Sequence, residues 1–145
     1  MNVFADEWDA LDDWSGGGAK STRLVSADVQ LGASVYELGP GNTAAYHFHH
    51  GSEEIVIALR GRPTLRTPDG ERQLAEGEVV HFPTGPDGAH GFRNDTDEPV
   101  RYVVAGIRVS PEVAEYPDTK QITAQARTDS QNGERLWVVH DLGDT

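Results

Sequence analysis

The chain has 145 residues, a net charge of −12 and no cysteine, a length that fits one domain with its own core. Without thiols there can be no disulfide, thiolate nucleophile, zinc–thiolate site or iron–sulfur cluster, so any metal must be held by nitrogen and oxygen. The excess of acid over 12 scattered Lys and Arg argues against nucleic-acid partners and anionic membranes.

In chain order, residues 1–20 stand apart from the rest. Phe4, Trp8, Leu11 and Trp14 recur at roughly helical spacing among Asp and Glu, which predicts a short amphipathic helix. Gly16-Gly17-Gly18 then breaks it. The segment reads as an N-terminal arm whose aromatics dock on the domain surface, with a tail or a lid over a pocket as the alternatives. It has neither the basic nor the apolar region of a secretory leader. No stretch approaches the ~20 apolar residues of a membrane span, so the cytoplasm is the expected compartment.

From Thr22 the chain reads as short strands and turns. Val29–Leu38, Ala44–His49 and the almost continuously apolar Glu54–Arg60 come first, separated by Gly- and Pro-containing turns. Thr64–Thr67 and Glu71–Leu74 flank Pro68-Asp69-Gly70, a hairpin signal. Val79–Phe82, Ala89–Arg93, Val100–Val109 and Leu136–His140 complete the set. Near-regular strands with few helical stretches predict an all-β sandwich or barrel. Residues 21–110 are the expected core. Residues 110–135, rich in Pro, Gln, Thr and Asp, read as a looser wrapping, so 111–145 is expected to be a C-terminal segment packing on the outside.

The chemistry is concentrated in His47-Phe48-His49. Alternate residues of a strand share a face, so the two imidazoles lie about 7 Å apart on one side and can reach one ion at ~2.1 Å. Strand parity alone would put residue 54 on the other face. The Gly51-Ser52 turn lets the chain reverse, so that Glu54 can rejoin the same interior, with Glu53 as its competitor. His90 follows a Gly-rich loop at the start of another strand. Three neutral imidazoles and one carboxylate suit a divalent transition metal such as manganese, iron, nickel, cobalt or zinc.

These residues fall into two spaced motifs. Gly41, His47, His49, Glu54 and Gly61 are separated by five, one, four and six residues. Gly77, Pro83, Gly85, His90 and Asn94 are separated by five, one, four and three. Together they resemble the two motifs of the cupin family across about residues 30–108, and the run to Gly61 favours Glu54 over Glu53. One departure is visible: the stretch Pro86-Asp87-Gly88-Ala89 before His90 is longer than usual by about two residues. The resemblance implies a double-stranded β-helix, or jelly-roll, cupin barrel with a short N-terminal arm. It implies His47, His49, Glu54 and His90 as ligands of one divalent metal, and a homodimer.

The expected function is metal-dependent work on a small oxygen-bearing molecule, of isomerase, decarboxylase or dioxygenase type. The alternative is a non-catalytic cupin that binds a small ligand or senses metal. If Glu54 faces inward, Val56 and Ala58 do too. Ile55, Ile57 and Leu59 then face out and need cover, from a second chain or from the terminal arms. His50 reads as a turn residue at the mouth or a substrate contact, His81 as packed or partly exposed, and His140 as unconnected to the site. Tyr36, Tyr46, Phe92, Tyr102 and Trp137 are strand aromatics, and Arg60, Arg66 and Arg101 are expected to face outward. No phosphate loop, nucleophile elbow or dinucleotide fingerprint is present.

Overall fold

The computed structural model describes residues 2–12, 18–26, 29–127 and 135–143. Among these residues thirteen strands form two antiparallel sheets. They are β1 (Ala10–Asp12), β2 (Ala19–Arg23), β3 (Leu31–Leu38), β4 (Thr43–His49), β5 (Glu54–Arg60), β6 (Thr64–Thr67), β7 (Gly70–Gln73), β8 (Val79–Phe82), β9 (His90–Arg93), β10 (Val100–Ile107), β11 (Glu112–Tyr116), β12 (Gln121–Arg127) and β13 (Arg135–Asp141). One sheet runs β1-β2-β3-β10-β5-β8 and the other β13-β12-β11-β4-β9-β6-β7. Non-sequential neighbours in both sheets make this a jelly-roll barrel, with pairing between distant strands rather than successive hairpins.

The core lies between the sheets. Leu38, Val56, Ala58, Leu65, Phe82, Phe92, Val100 and Tyr102 are buried in one cluster. β5 shows the alternation that builds it: Val56 and Ala58 are fully buried, whereas Ile55 is exposed on the outer face. Tyr36, Tyr102 and Phe92 stack across the interior, with ring centroids 5.6 and 4.4 Å apart. Asn94, also fully buried, donates from Nδ2 to Leu38 O (2.9 Å) and Glu98 O (2.8 Å). Its side chain therefore closes the β9–β10 turn onto β3. Among the described residues no helix is long and apolar enough to cross a membrane.

Two expectations need correction. The helix expected near the N-terminus is replaced at Ala10–Asp12 by a strand paired with β2, through Ala10–Ser21 to Asp12–Ala19. Helical spacing of aromatics could not reveal that a strand edge was available nearby. Trp14, Gly16 and Gly17 lie outside the described residues, as does the side chain of Leu11. The stretch expected as a loose wrapping holds β11 and β12, which extend the second sheet from β4.

The outer face of the first sheet carries a buried ion pair. Arg101 faces away from the core yet is only 2% exposed, because the N-terminal arm covers it. Its Nε and Nη2 bond Glu37 Oε2 at 3.0 and 2.5 Å, and its Nη1 donates to Val3 O and Ala5 O. The Trp8 ring lies 4.7 Å from the guanidinium. Elsewhere on this face Leu31, Ile55, Val79 and Ile107 are exposed.

Candidate metal centre

β4 turns His47 and His49 into the barrel, β5 begins with Glu54, and β9 begins with His90 directly opposite His47. The side chains converge. His47 Nε2 lies 3.2 Å from His49 Nε2, and Glu54 Oε2 lies 3.3 Å from both His49 Nε2 and His90 Nε2. His47, His49 and Glu54 offer ligand atoms that all fall within 4.8 Å of one another, a group that could hold a metal ion. Glu53, the competitor, points outward and meets the exposed His81 at 2.8 Å.

The tautomers suit metal binding. A carbonyl oxygen only accepts, so His47 Nδ1–H donates to Ala45 O and His90 Nδ1–H to Gly88 O, both at 2.9 Å. In each ring Nε2 is left as a lone pair aimed at the cluster. The lengthened loop before His90 supplies one of those carbonyls. Pro86–Gly88 forms a single 3-10 turn, and a Cβ on Gly88 would lie 1.7 Å from Pro83 O, so only glycine fits there.

His49 is oriented from behind. Its Nδ1 lies 3.4 Å from Glu112 Oε1; both atoms are buried and neither completes a hydrogen bond. The other carboxylate oxygen of Glu112 accepts from Ser52 Oγ. A carboxylate behind an imidazole whose opposite nitrogen faces a donor cluster is the usual support of a metal-binding histidine. Tyr116 stacks on His47 with centroids 5.4 Å apart. Sequence reasoning missed Glu112 and Tyr116, both on β11.

The donor set fits an ion. Two ligands bound at ~2.1 Å, at right or tetrahedral angles, sit roughly 3.0–3.4 Å apart, and the contacts at the cluster have that spacing. Burial pushes His47 down to about 4, helped by the like charges of His90 and His49, so it stays neutral. Burial also opposes charge on His49, but the neighbouring carboxylates of Glu54, at 3.3 Å, and Glu112, at 3.4 Å, outweigh it and raise its pKa. Burial disfavours ionised Glu54, yet His49 and His90, which donate to it when protonated, hold it well below the usual carboxylate range.

Two cavities meet at this cluster, with Glu54 in the wall of both. One, of about 340 Å³, is lined by His47, His90, Tyr36, Phe92, Tyr102 and Tyr116, among others. The other, of about 290 Å³, has His49, Glu112 and three arginines in its wall. His50 lines neither and meets Glu115 at 3.2 Å. His140 and Trp137 are exposed on β13, and Arg66 is tied to Asp118 at 2.6 Å beside the Tyr46 ring.

The arrangement is that of a β-barrel protein with a nitrogen–oxygen donor cluster at its centre. The cupin domain family model matches residues 34–106, and the chain belongs to that family. A sugar phosphate isomerase of the cupin superfamily from Silicibacter pomeroyi DSS-3 is 29% identical, with a TM-score of 0.72 over 83% of this chain and 76% of that one. A protein from Acidithiobacillus ferrooxidans ATCC 23270, provisionally described as a sugar phosphate isomerase, is 28% identical, with a TM-score of 0.71 over 87% and 79%. The polyketide cyclase of Streptomyces resistomycificus shares the fold at 22% identity, with a TM-score of 0.55 over 61% of this chain and 64% of its own. No match is found among curated proteins.

Proposed function

We propose that His47, His49, Glu54 and His90 hold one divalent transition metal, and that the site isomerises a small oxygen-bearing molecule of the sugar phosphate class. The observation that carries this reading is the close grouping of His47, His49 and Glu54, with His90 3.3 Å from Glu54, where two cavities meet. The two structures near 29% identity described as sugar phosphate isomerases favour isomerisation over decarboxylation or dioxygenation. When bound, such an ion supplies a Lewis-acid contact for a carbonyl or diol oxygen. The protein's own groups do the rest. The imidazoles present fixed lone pairs, Glu54 brings the negative charge, and the aromatic wall of the larger cavity excludes water from one side.

The test is elemental analysis of untagged protein, followed by NMR observation of a panel of aldose and ketose phosphates. The expected result is about one metal per chain and interconversion of at least one pair. The variant His47→Ala/His49→Ala should lose both metal and turnover while staying folded, since the core does not depend on the ion. Full metal content in that variant would overturn the proposed ligand set. Metal without turnover of any sugar would leave a non-catalytic binder.

A homodimer through the outer face of the first sheet belongs to the same proposal. Cross-strand neighbours Leu31–Ile107 and Ile57–Val79, with Ile55 between them, form an apolar strip that the N-terminal arm leaves open. A second copy of the same strip is its natural cover.

A further inference from the structure

We propose that β13 is an arm that grips a second copy of this chain, carrying the dimer interface of the first sheet past the rim of the barrel. β13 ends the second sheet and pairs only with β12 among the described residues. Residues directly opposite each other in an antiparallel pair share a face. Val139 stands opposite Thr123 and Val138 opposite Ala124, so the two valines lie on opposite faces. Thr123 is buried against the barrel, yet Val139 beside it is 52% exposed. Packing therefore stops at β12, and β13 overhangs.

The overhanging strand is apolar on both sides. A strand with one solvated face alternates apolar and polar residues. In β13, Leu136 and Val138 occupy one face, Trp137 and Val139 the other, and all four are exposed. Leu142 follows them and is exposed as well. Edge strands that stay single carry charge, proline or a bulge to discourage pairing. The run Leu136–Val139 has neither charge nor proline, and its register with β12 is unbroken.

Three observations choose a second copy as the cover. The first is continuity. Arg127, at the end of β12, donates from Nη2 to Val29 O at 2.9 Å, which sets the Leu136 end of β13 beside the entry to β3. Val29, Leu31 and Ile107 are exposed at that end, so the apolar surface runs from the strip of the first sheet onto β13. The second is size. A stable interface takes roughly 800 Å² and 20–30 residues from each partner. The strip alone offers Leu31, Ile55, Ile57, Val79 and Ile107, and β13 with Val29 doubles that apolar set. The third is charge. At −12 the chain is repelled by anionic lipid, whereas two copies can meet where neither carries charge.

This interface borders the entrance to the donor cluster. The cavity of about 290 Å³, whose arginines are Arg23, Arg108 and Arg127, also has Ile107 and Ala126 in its wall. Ile107 belongs to the strip, and Ala126 stands directly opposite Leu136. A partner held by strip and arm together therefore flanks the mouth of each barrel.

The inference rests on the proposed dimer and deepens it. Its test is sedimentation of the full-length protein over a concentration series, wild type against Val138→Glu/Val139→Glu. The variant sets one carboxylate on each face of β13, at positions exposed in the single chain. The dimer dissociation constant should rise at least about tenfold, because an unpaired charge would enter the interface, while metal content stays the same. Equal dissociation constants in wild type and variant would overturn the arm and leave the strip dimer standing. A monomeric wild type would overturn dimer and arm together and leave the proposed metal site untouched. Should the variant fail to fold, hydrogen exchange of wild type carries the test. Amides of residues 135–142 should exchange more slowly at concentrations where the dimer forms than in diluted monomer, and exchange there that ignores association would overturn the proposal.

Discussion

Gly106 stands directly opposite Glu54 across the β5–β10 pair, and a Cβ at Gly106 would lie 2.8 Å from Glu54 Cγ and 2.5 Å from Glu53 O. The missing side chain is what lets the carboxylate fold inward at the start of β5. Gly106→Ala should therefore displace Glu54 and weaken metal binding by about tenfold or more, the scale of losing a ligand's support. Competition with a chromogenic chelator measures this. An unchanged metal affinity would mean that Glu54 does not need that space.

Glu112→Gln keeps the shape of the side chain behind His49 but removes its charge. Metal affinity should fall about 10–100-fold while the four proposed ligands stay in place. The same chelator competition reads the loss, and circular dichroism should show an intact barrel. No change would reduce Glu112 to a partner of Ser52.

Metal binding should weaken as the pH falls. The raised pKa of His49 means that metal-free protein holds a proton there to higher pH than a free imidazole would, and the ion must displace it. Affinity should therefore climb with pH until that proton is gone, somewhat above the ordinary imidazole value of ~6.5. His47, pushed down to about 4, adds no competing proton in this range. Calorimetry in buffers of different ionisation enthalpy counts the protons released. A count of zero at pH 6 would contradict the assignment.

Arg101→Ala should destabilise the protein by about 3 kcal/mol, the low end for a broken buried pair, because Glu37 would remain buried with only Lys20, at 3.4 Å, beside it. Arg101→Met with Glu37→Gln, which removes both charges, should cost much less. Urea unfolding followed by tryptophan fluorescence gives both values. Metal content should be the same in all three proteins, since this pair lies on the far side of the sheet from the donors.

Ile57→Glu places a charge in the apolar strip of the first sheet. Sedimentation at tens of micromolar should find wild type as a dimer and the variant as a monomer of ordinary stability. A monomeric wild type would leave the strip as bare surface.

Much of the barrel could be read from the sequence because its signals are local. The alternation in Glu54–Arg60 and the turn residues around it place β5 without reference to any partner. The inward pairing of His47 with His49 follows from the same rule. β11 escaped notice because Glu-Val-Ala-Glu-Tyr between two prolines looks like loop, and Glu112 finds its contacts with Ser52 and His49, sixty and sixty-three residues earlier. The strand at Ala10–Asp12 likewise exists by virtue of β2. Arg23, Arg108 and Arg127 share no motif and meet only through strand order, a relation that spacing along the chain does not encode.

The pieces of the site also differ in where they sit along the chain. All four proposed donors fall within residues 34–106, the span of the family match, whereas Glu112, Tyr116 and Arg127 lie in the β11–β12 ribbon beyond it and Arg23 lies before it. The ribbon therefore does two jobs at once: Glu112 and Tyr116 brace the histidines, while its remaining residues border the mouth. A grafted ribbon that kept those two side chains could retune what the mouth admits, which makes the rest of residues 110–127 the place to begin in redesigning this protein for a new molecule.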